Sequence, residues 1–152
     1  MFSSASMPLI VLLGRAHDAL ESELDARLRE QTDFPGLSIA HTRNVLRHLD
    51  VHECSRASQL VERSGISKQA LSLQIAHLEK AGYVVTSQDP GDRRARRVEL
   101  TPLGTAAREA VQRIMGELDA EWNERWGGGG GNSWQAVRER LDAIIEFGER
   151  AS

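Results

Sequence analysis

The segment from Cys54 to Gly104 constrains the fold of this 152-residue chain more than any other. Its pattern predicts two short helices joined by a tight turn. Ser55 and Ser67 can each cap the start of a helix, and Gly65 allows the left-handed backbone that a sharp turn needs. Gly82 is expected to terminate the second helix, after which the sequence becomes β-rich.

The second helix of this segment is predicted to be amphipathic. Leu71, Ile75 and Leu78 fall on one stripe and are expected to face the core. A helix-turn-helix whose second helix turns a polar face outward is a DNA-binding arrangement. The residues on or beside that outer face are Lys68, Gln69, Ser72, Leu73, Ala76 and His77.

Two β-rich runs, residues 83–86 and 98–100, flank the turn sequence Asp89-Pro90-Gly91-Asp92 and predict a hairpin. Arginines follow the turn at positions 93, 94, 96 and 97. A cationic hairpin beside a helix-turn-helix is typical of a wing that meets the phosphate backbone and the minor groove of DNA.

Three motifs in this order resemble the MarR family of winged-helix transcriptional regulators: LEKAGYV at residues 78–84, DPGDRRA at 89–95 and VELTPLG at 98–104. The resemblance is strongest over residues 37–104, and the wing motif is its most specific part. It implies a mainly α fold with a small β-hairpin wing, a winged helix-turn-helix flanked by long dimerisation helices. It also implies a homodimer that binds a double-stranded DNA operator.

The charge distribution agrees with this interpretation. The chain carries a net charge of −3, but residues 37–104 contain ten Lys or Arg and seven Asp or Glu, which gives +3 and leaves −6 for the flanks. Positive charge is therefore concentrated in the predicted DNA-binding segment. A single cysteine excludes an internal disulfide and is compatible with a cytoplasmic location. The apolar run at residues 7–13 contains Pro8 and is too short to cross a membrane, so no membrane partner is expected.

Four further helices are predicted, on either side of the segment from Cys54 to Gly104. These run from Pro8 to about Glu30, from Ile39 to about Leu49 with Ser38 as cap, from Leu103 to about Trp126, and from Trp134 to about Arg150 with Ser133 as cap. Residues 1–7 are interpreted as a loose end and the five glycines at 127–131 as a flexible linker. The predicted organisation is an N-terminal tail and dimerisation helix (1–36), a DNA-binding domain (37–104) and C-terminal dimerisation helices (105–152). Amphipathic helices on both sides are explained by a two-fold dimer.

Specific roles follow from position and from the resemblance. On the recognition helix the candidate DNA contacts are Ser67, Lys68, Gln69, Ser72, Leu73 and His77; on the wing they are Asp92, Arg93, Arg94 and Arg96. The resemblance implies that Arg94 is the minor-groove arginine and that Asp92 holds the wing turn. Family recognition helices usually carry arginine where this chain has Leu73, and often where it has His77. The wing is therefore expected to supply more of the affinity, on an AT-leaning operator.

A small aromatic or phenolic effector is implied by the resemblance, in a cleft beside the DNA-binding lobe. By location His17, Phe34, His41 and Trp122 are candidates to line it, with ordinary packing or surface positions as the alternative.

The His52-Glu53-Cys54 triplet contains zinc-ligand types, but adjacent residues of a short strand point to opposite faces, so no metal site is expected. Cys54 is interpreted as a small buried hydrophobic residue rather than a redox switch. No cofactor is expected.

Two other functions are alternatives to DNA binding. A winged helix used only for protein–protein assembly would suit the acidic total charge, but the wing arginines argue against it. An enzyme is the weakest alternative, because the sequence contains no nucleophile elbow, dinucleotide fingerprint, phosphate-binding loop or metal-hydrolase motif.

Overall fold

The computed structural model describes residues 7–31, 33–50, 53–126 and 134–150. The chain divides into two compact units, Met1–Gln112 and Arg113–Ser152. The elements in order are α1 (Leu9–Gln31), α2 (Ile39–Asn44), β1 (Ser55–Arg56), α3 (Ala57–Ser64), α4 (Lys68–Lys80), β2 (Val84–Asp89), β3 (Asp92–Leu100), α5 (Pro102–Trp126) and α6 (Trp134–Arg150). A 3₁₀ turn, Leu46–His48, follows α2.

The predicted helix-turn-helix is formed by α3 and α4. Gly65 ends α3 with φ of +69°, in the left-handed region that glycine adopts without strain. Ser67 caps α4 as predicted, since its side-chain oxygen accepts a hydrogen bond from the Ala70 N–H at 3.1 Å. Gly82 follows α4 with φ of +85°, which confirms its predicted place at the helix end.

The prediction that Ser55 caps α3 is wrong. Ser55 lies in β1 and is buried, and the residue at the N-cap is Arg56. The Arg56 N–H donates to Oε1 of Gln59 at 2.9 Å. A side chain in the first turn of α3 therefore accepts the backbone N–H of the N-cap residue.

The hairpin of β2 and β3 is joined by β1 in an antiparallel sheet of order β1-β3-β2. The β2–β3 register runs from Val84↔Leu100 to Gln88↔Arg96 and closes at Asp89↔Asp92, with an irregularity between Gln88 and Asp89. The fold class, mainly α with a small β wing, is confirmed, and the sheet has three strands because β1 adds an edge to the predicted hairpin.

The core of the first unit lies between the helix-turn-helix, the sheet and the start of α5. Tyr83 is fully buried, and its hydroxyl donates to the Pro35 carbonyl at 2.9 Å. Gly104 in the first turn of α5 passes so close to this strand that an added Cβ would lie 1.9 Å from the Tyr83 carbonyl oxygen. Other buried members are Leu28, Val45, Leu46, Leu49, Leu60, Leu71, Leu78, Val84, Val98, Ala107 and Val111.

The flanking helices follow the predicted bounds closely except for α2. Ser38 caps α2 as predicted, but the helix ends at Asn44 rather than near Leu49, and the chain continues through the 3₁₀ turn. The nitrogens of Arg63 and Arg108 donate to the His48 and Leu49 carbonyls, which satisfies the backbone beyond this turn.

Some predictions fall on residues outside the described ranges. These are the loose end at 1–6, the glycine run at 127–131, the Ser133 cap and His52. Within the described ranges, no helix has the length and apolar character required to span a membrane.

Candidate nucleic-acid interface

Helix α4 presents one buried and one exposed face, as its sequence predicts. Leu71, Ile75 and Leu78 point into the core. All six candidate DNA contacts on this element are exposed: Ser67, Lys68, Gln69, Ser72, Leu73 and His77. Leu73 is the exposed apolar member, with 69% of its surface accessible. The face offers one cation, several hydrogen-bonding groups and a hydrophobic contact, which are the groups that read base edges in a major groove.

The wing carries its four predicted contact residues on the surface. Asp92, Arg93, Arg94 and Arg96 are all exposed. Oδ1 of Asp92 accepts the backbone N–H of Arg94 at 3.0 Å, which is a geometry that supports the predicted role of Asp92 in holding the turn.

A hydrogen-bonded chain connects the wing to the recognition helix. Oε1 of Glu79, near the end of α4, accepts both the N–H of Thr86 at 3.0 Å and its hydroxyl at 2.5 Å. The same hydroxyl oxygen accepts a bond from the Arg96 guanidinium at 2.7 Å. These bonds fix strand β2 against α4. The Thr86 hydroxyl also orients Arg96, one of the predicted wing contacts.

Asp89 was not among the predicted site residues, yet it organises the wing turn. Its side chain is 2% exposed, and Oδ1 accepts the Gly91 N–H at 2.8 Å. Oδ2 receives Nε of Arg56 at 2.7 Å and lies 3.2 Å from Nε of Arg97. The Gly91 N–H, together with the two guanidinium groups, lowers the pKa of Asp89 from 3.8 to about 2. Asp89 in turn raises the pKa of Arg97.

A cleft of about 550 Å³ lies where the wing faces the helix-turn-helix. Side chains from β1, α3, α4 and β3 line it, and four of them are cationic: Arg56, Lys68, Arg94 and Arg96. Two carboxylates, Glu62 and Asp92, also border it. The concave surface between recognition helix and wing is therefore predominantly positive, as expected for a surface that follows a phosphate backbone.

The family model described as "MarR family" matches residues 36–95, which contain the whole helix-turn-helix, β2 and the start of β3. Over these residues the chain is similar to the MarR family. Members of this family are transcriptional regulators rather than enzymes.

Relatives in sequence and structure agree with this similarity. YcgE of Bacillus subtilis (strain 168), described as an uncharacterized HTH-type transcriptional regulator, is 37% identical over 62 residues, or 41% of this chain. The matching stretch spans only 38% of the length of YcgE.

Two solved structures illustrate the shared fold. Apo wild-type MarR from E. coli superposes with a TM-score of 0.72 at 20% identity, covering 91% of this chain and 97% of MarR. M. tuberculosis transcriptional regulator MOSR in complex with DNA gives 0.67 at 22% identity, covering 95% of this chain and 98% of MOSR. At these identities the structures establish the MarR-type fold alone.

The His77 side chain contacts residues of the same compact unit. Its Nε2 lies 2.7 Å from the Gly36 carbonyl oxygen, and its ring stacks on His41 with 4.7 Å between centroids. His77 remains a predicted DNA contact, and its ring also joins α4 to the connection between α1 and α2.

The residues predicted to line an effector cleft lie in different surroundings. Nε2 of His17 lies 3.0 Å from a guanidinium nitrogen of Arg43 on α2. His41 stacks on His77, and the Phe34 ring is 6.3 Å from that of Tyr83. Trp122 belongs to the second unit. Of the four, Phe34 lines a cleft of about 570 Å³, which it shares with Arg29, Asp33 and Leu37 among others.

Within the described ranges, no group of three or more His, Cys, Asp or Glu residues is arranged to hold a metal ion. The triplet considered from sequence is only partly described, because His52 falls outside those ranges. Cys54 is a half-buried free thiol beside β1.

Proposed function

We propose that this chain is a cytoplasmic, homodimeric DNA-binding transcription regulator that acts as a repressor on a palindromic operator. One observation carries the proposal: a single lobe presents an exposed polar recognition helix and an exposed arginine-rich wing, joined by the bonds from Thr86 to Glu79 and Arg96. A rigid pair of this kind matches two adjacent grooves of a duplex.

On α4, Gln69 can pair with adenine, and Lys68 can bind guanine or a phosphate. Leu73 and Ala76 are exposed apolar groups suited to contact with a thymine methyl. Since the helix carries one lysine and no arginine on this face, sequence discrimination on it rests on amide and apolar contacts, which favours AT-leaning half-sites.

The wing provides the larger share of the positive charge. Arg93, Arg94 and Arg96 are exposed there and can neutralise phosphates, with release of bound counterions. Arg94 follows the turn that Asp92 stabilises and is the residue suited to the minor groove, where a narrow A-tract concentrates negative potential.

A second copy of the chain is the partner proposed for the exposed apolar residues of the flanking helices. On α1 these are Leu9, Ile10, Val11 and Leu12, and on α6 they are Val137, Ile144, Ile145 and Phe147. Burial against a two-fold mate would remove this surface from water. Two recognition helices spaced about 34 Å apart would then read two half-sites one helical turn apart. A dimer bound in this way would block access to a promoter.

Release by a small aromatic or phenolic effector is part of the proposal. The cleft that contains Phe34 and Arg29 supports it, because a ring can stack on the phenylalanine while an acidic substituent pairs with the guanidinium.

Selection of bound sequences from a pool of random duplexes tests the function directly. The expected result is enrichment of an AT-leaning inverted repeat with half-sites about one helical turn, or 34 Å, apart. Failure to enrich any sequence, together with no gel shift in dilute buffer, would instead leave a protein–protein assembly module as the function. Steep weakening of binding with added salt is the accompanying signature of phosphate contacts.

A further inference from the structure

Arg56 is a cation that lies outside the predicted set of DNA contacts. It sits at the junction of β1 and α3, where β1 pairs it with Arg97 on β3. Its side chain is 51% exposed and borders the positive cleft together with Lys68 and Arg94. The position therefore faces the same concave surface as a predicted recognition-helix residue and a predicted wing residue.

The Arg56 guanidinium is held in one orientation by Asp89. The contact uses Nε at 2.7 Å from Oδ2, and a guanidinium carries four further N–H donors on its terminal nitrogens. The other carboxylate oxygen, Oδ1, is occupied by the Gly91 N–H at 2.8 Å. Both oxygens of Asp89 thus have partners, and the side chain is almost completely buried, so it is held in place.

Charge balance at this cluster favours an anionic ligand. One carboxylate, Asp89, faces two guanidinium groups, Arg56 at 2.7 Å and Arg97 at 3.2 Å. The cluster carries one positive charge in excess, and Lys68, Arg94 and Arg96 add to it across the cleft. Anchoring through Nε lowers the entropy cost of presenting the terminal nitrogens to a phosphate.

We propose that Arg56 binds a phosphate of the DNA backbone and that Asp89 is the positioning residue that orients it. This inference rests on the proposed DNA-binding function. It adds one phosphate contact, Arg56, and the residue that orients it, Asp89. The phosphate contacted lies between those reached by the recognition helix and those reached by the wing.

For Asp89→Asn, the change in net charge and the loss of Arg56 positioning predict opposite effects on DNA affinity. Asp89→Asn removes a negative charge from a surface that faces a polyanion, so charge alone would strengthen DNA binding. If Asp89 orients Arg56, the same change weakens binding although the net charge becomes more favourable. Glu62→Gln is the matched control, because Glu62 borders the same cleft and its loss also removes one negative charge.

The experiment measures fluorescence anisotropy of a labelled random-sequence duplex with full-length protein at several salt concentrations. Arg56→Gln is expected to weaken binding about tenfold and to reduce the slope of log K against log salt by about 0.9. Asp89→Asn is expected to weaken binding about threefold to tenfold, and Glu62→Gln to leave it equal or tighter. In the Arg56→Gln background, Asp89→Asn should cost little more, because the two act as a unit.

Arg56→Lys keeps the positive charge but lacks the planar guanidinium. This variant tests the positioning role of Asp89 even if Asp89→Asn fails to fold. Its expected affinity is close to that of Arg56→Gln. Full affinity of Arg56→Lys, or tightening by a folded Asp89→Asn, overturns the positioning role. An unchanged salt slope in Arg56→Gln overturns the phosphate contact. Absence of duplex binding by the wild-type protein at low salt overturns the proposed function itself. This result is distinguishable from those of the variants, which are compared with a wild type that binds.

Discussion

The imidazole rings of His41 and His77 lie stacked, with their centroids 4.7 Å apart and their planes inclined by 12°. Nδ1 of His41 accepts the N–H of Ser38 at 3.1 Å, and His77 contacts the Gly36 carbonyl. The pair thus joins the start of α2 to the recognition helix. Burial lowers the pKa of His41, the neighbouring His77 lowers it further, and Asp25 opposes the shift.

His41→Gln should flatten the pH dependence of stability. Because the pKa of His41 is lower in the folded chain than its usual 6.5, the neutral form is favoured on folding. The associated stability is present above pH 6.5 and is lost as the pH falls below it, since the unfolded chain then binds more protons. Glutamine at this third helical position retains an acceptor for the Ser38 N–H. Urea unfolding from about pH 8 to about pH 5 measures the effect.

The exposed His17→Gln is the control for the loss of one histidine outside this stacked pair. His48, whose pKa is also lowered chiefly by burial, will leave some residual dependence in His41→Gln. A slope identical to wild type in His41→Gln would contradict the prediction.

Gly104→Ala should destabilise the fold by about 2 to 4 kcal/mol. The added Cβ would lie 1.9 Å from the backbone oxygen of Tyr83, and a backbone atom cannot move aside as a flexible side chain can. On the same helix, Gly116→Ala meets no atom within 4 Å and is expected to stabilise by up to about 1 kcal/mol. Denaturant unfolding compares the two variants, and equal stabilities would show that the close approach is relaxed at little cost.

Asp89→Asn should remove a step from the acid unfolding of the protein. The folded pKa of Asp89 is about 2, below its usual 3.8, chiefly because the Gly91 N–H stabilises the carboxylate. Its contribution is present above pH 3.8 and disappears as the pH falls through 2. The fall of melting temperature with acid should therefore be shallower in Asp89→Asn than in wild type, and Glu62→Gln serves as control. A variant that follows the wild-type curve would contradict this assignment.

Arg94→Ala should weaken DNA binding more than Leu73→Ala. The arginine is an exposed cation on the wing, and its loss removes a phosphate or minor-groove contact worth about tenfold in affinity at low salt. Loss of the exposed leucine removes an apolar contact with a base, worth about threefold to fivefold. A gel-shift titration gives the ranking, and equal or reversed losses would show that α4 dominates the affinity.

Ile144→Lys should convert the proposed dimer to monomers. Ile144 is exposed on the apolar side of α6, and a buried ammonium there would lack a partner. Glu139→Lys introduces the same side chain toward the opposite side of the helix and should leave the assembly intact. Sedimentation at several concentrations distinguishes the two. Dimers of unchanged stability in Ile144→Lys would exclude this face from the interface.

The elements that local sequence could predict were those defined by neighbouring residues. The stripe of Leu71, Ile75 and Leu78, the Ser67 cap and the glycines at 65 and 82 specify the helix-turn-helix within one short stretch. Ser55 was misassigned as a cap because a serine before a helix has the same appearance whether it caps the helix or pairs in a strand. Its pairing with Val98 on β3 lies far along the chain.

By itself the sequence determined that this protein has a helix-turn-helix, an arginine-rich hairpin after it and amphipathic helices on both sides, since each depends on periodicity or turn chemistry over a few residues. Only the tertiary structure decided which arginines Asp89 holds, that His41 lies against His77, and why position 104 is glycine. Those contacts join residues that are distant in sequence, such as Arg56 and Asp89, 33 positions apart. No local pattern specifies them, because they arise where separately formed elements pack together.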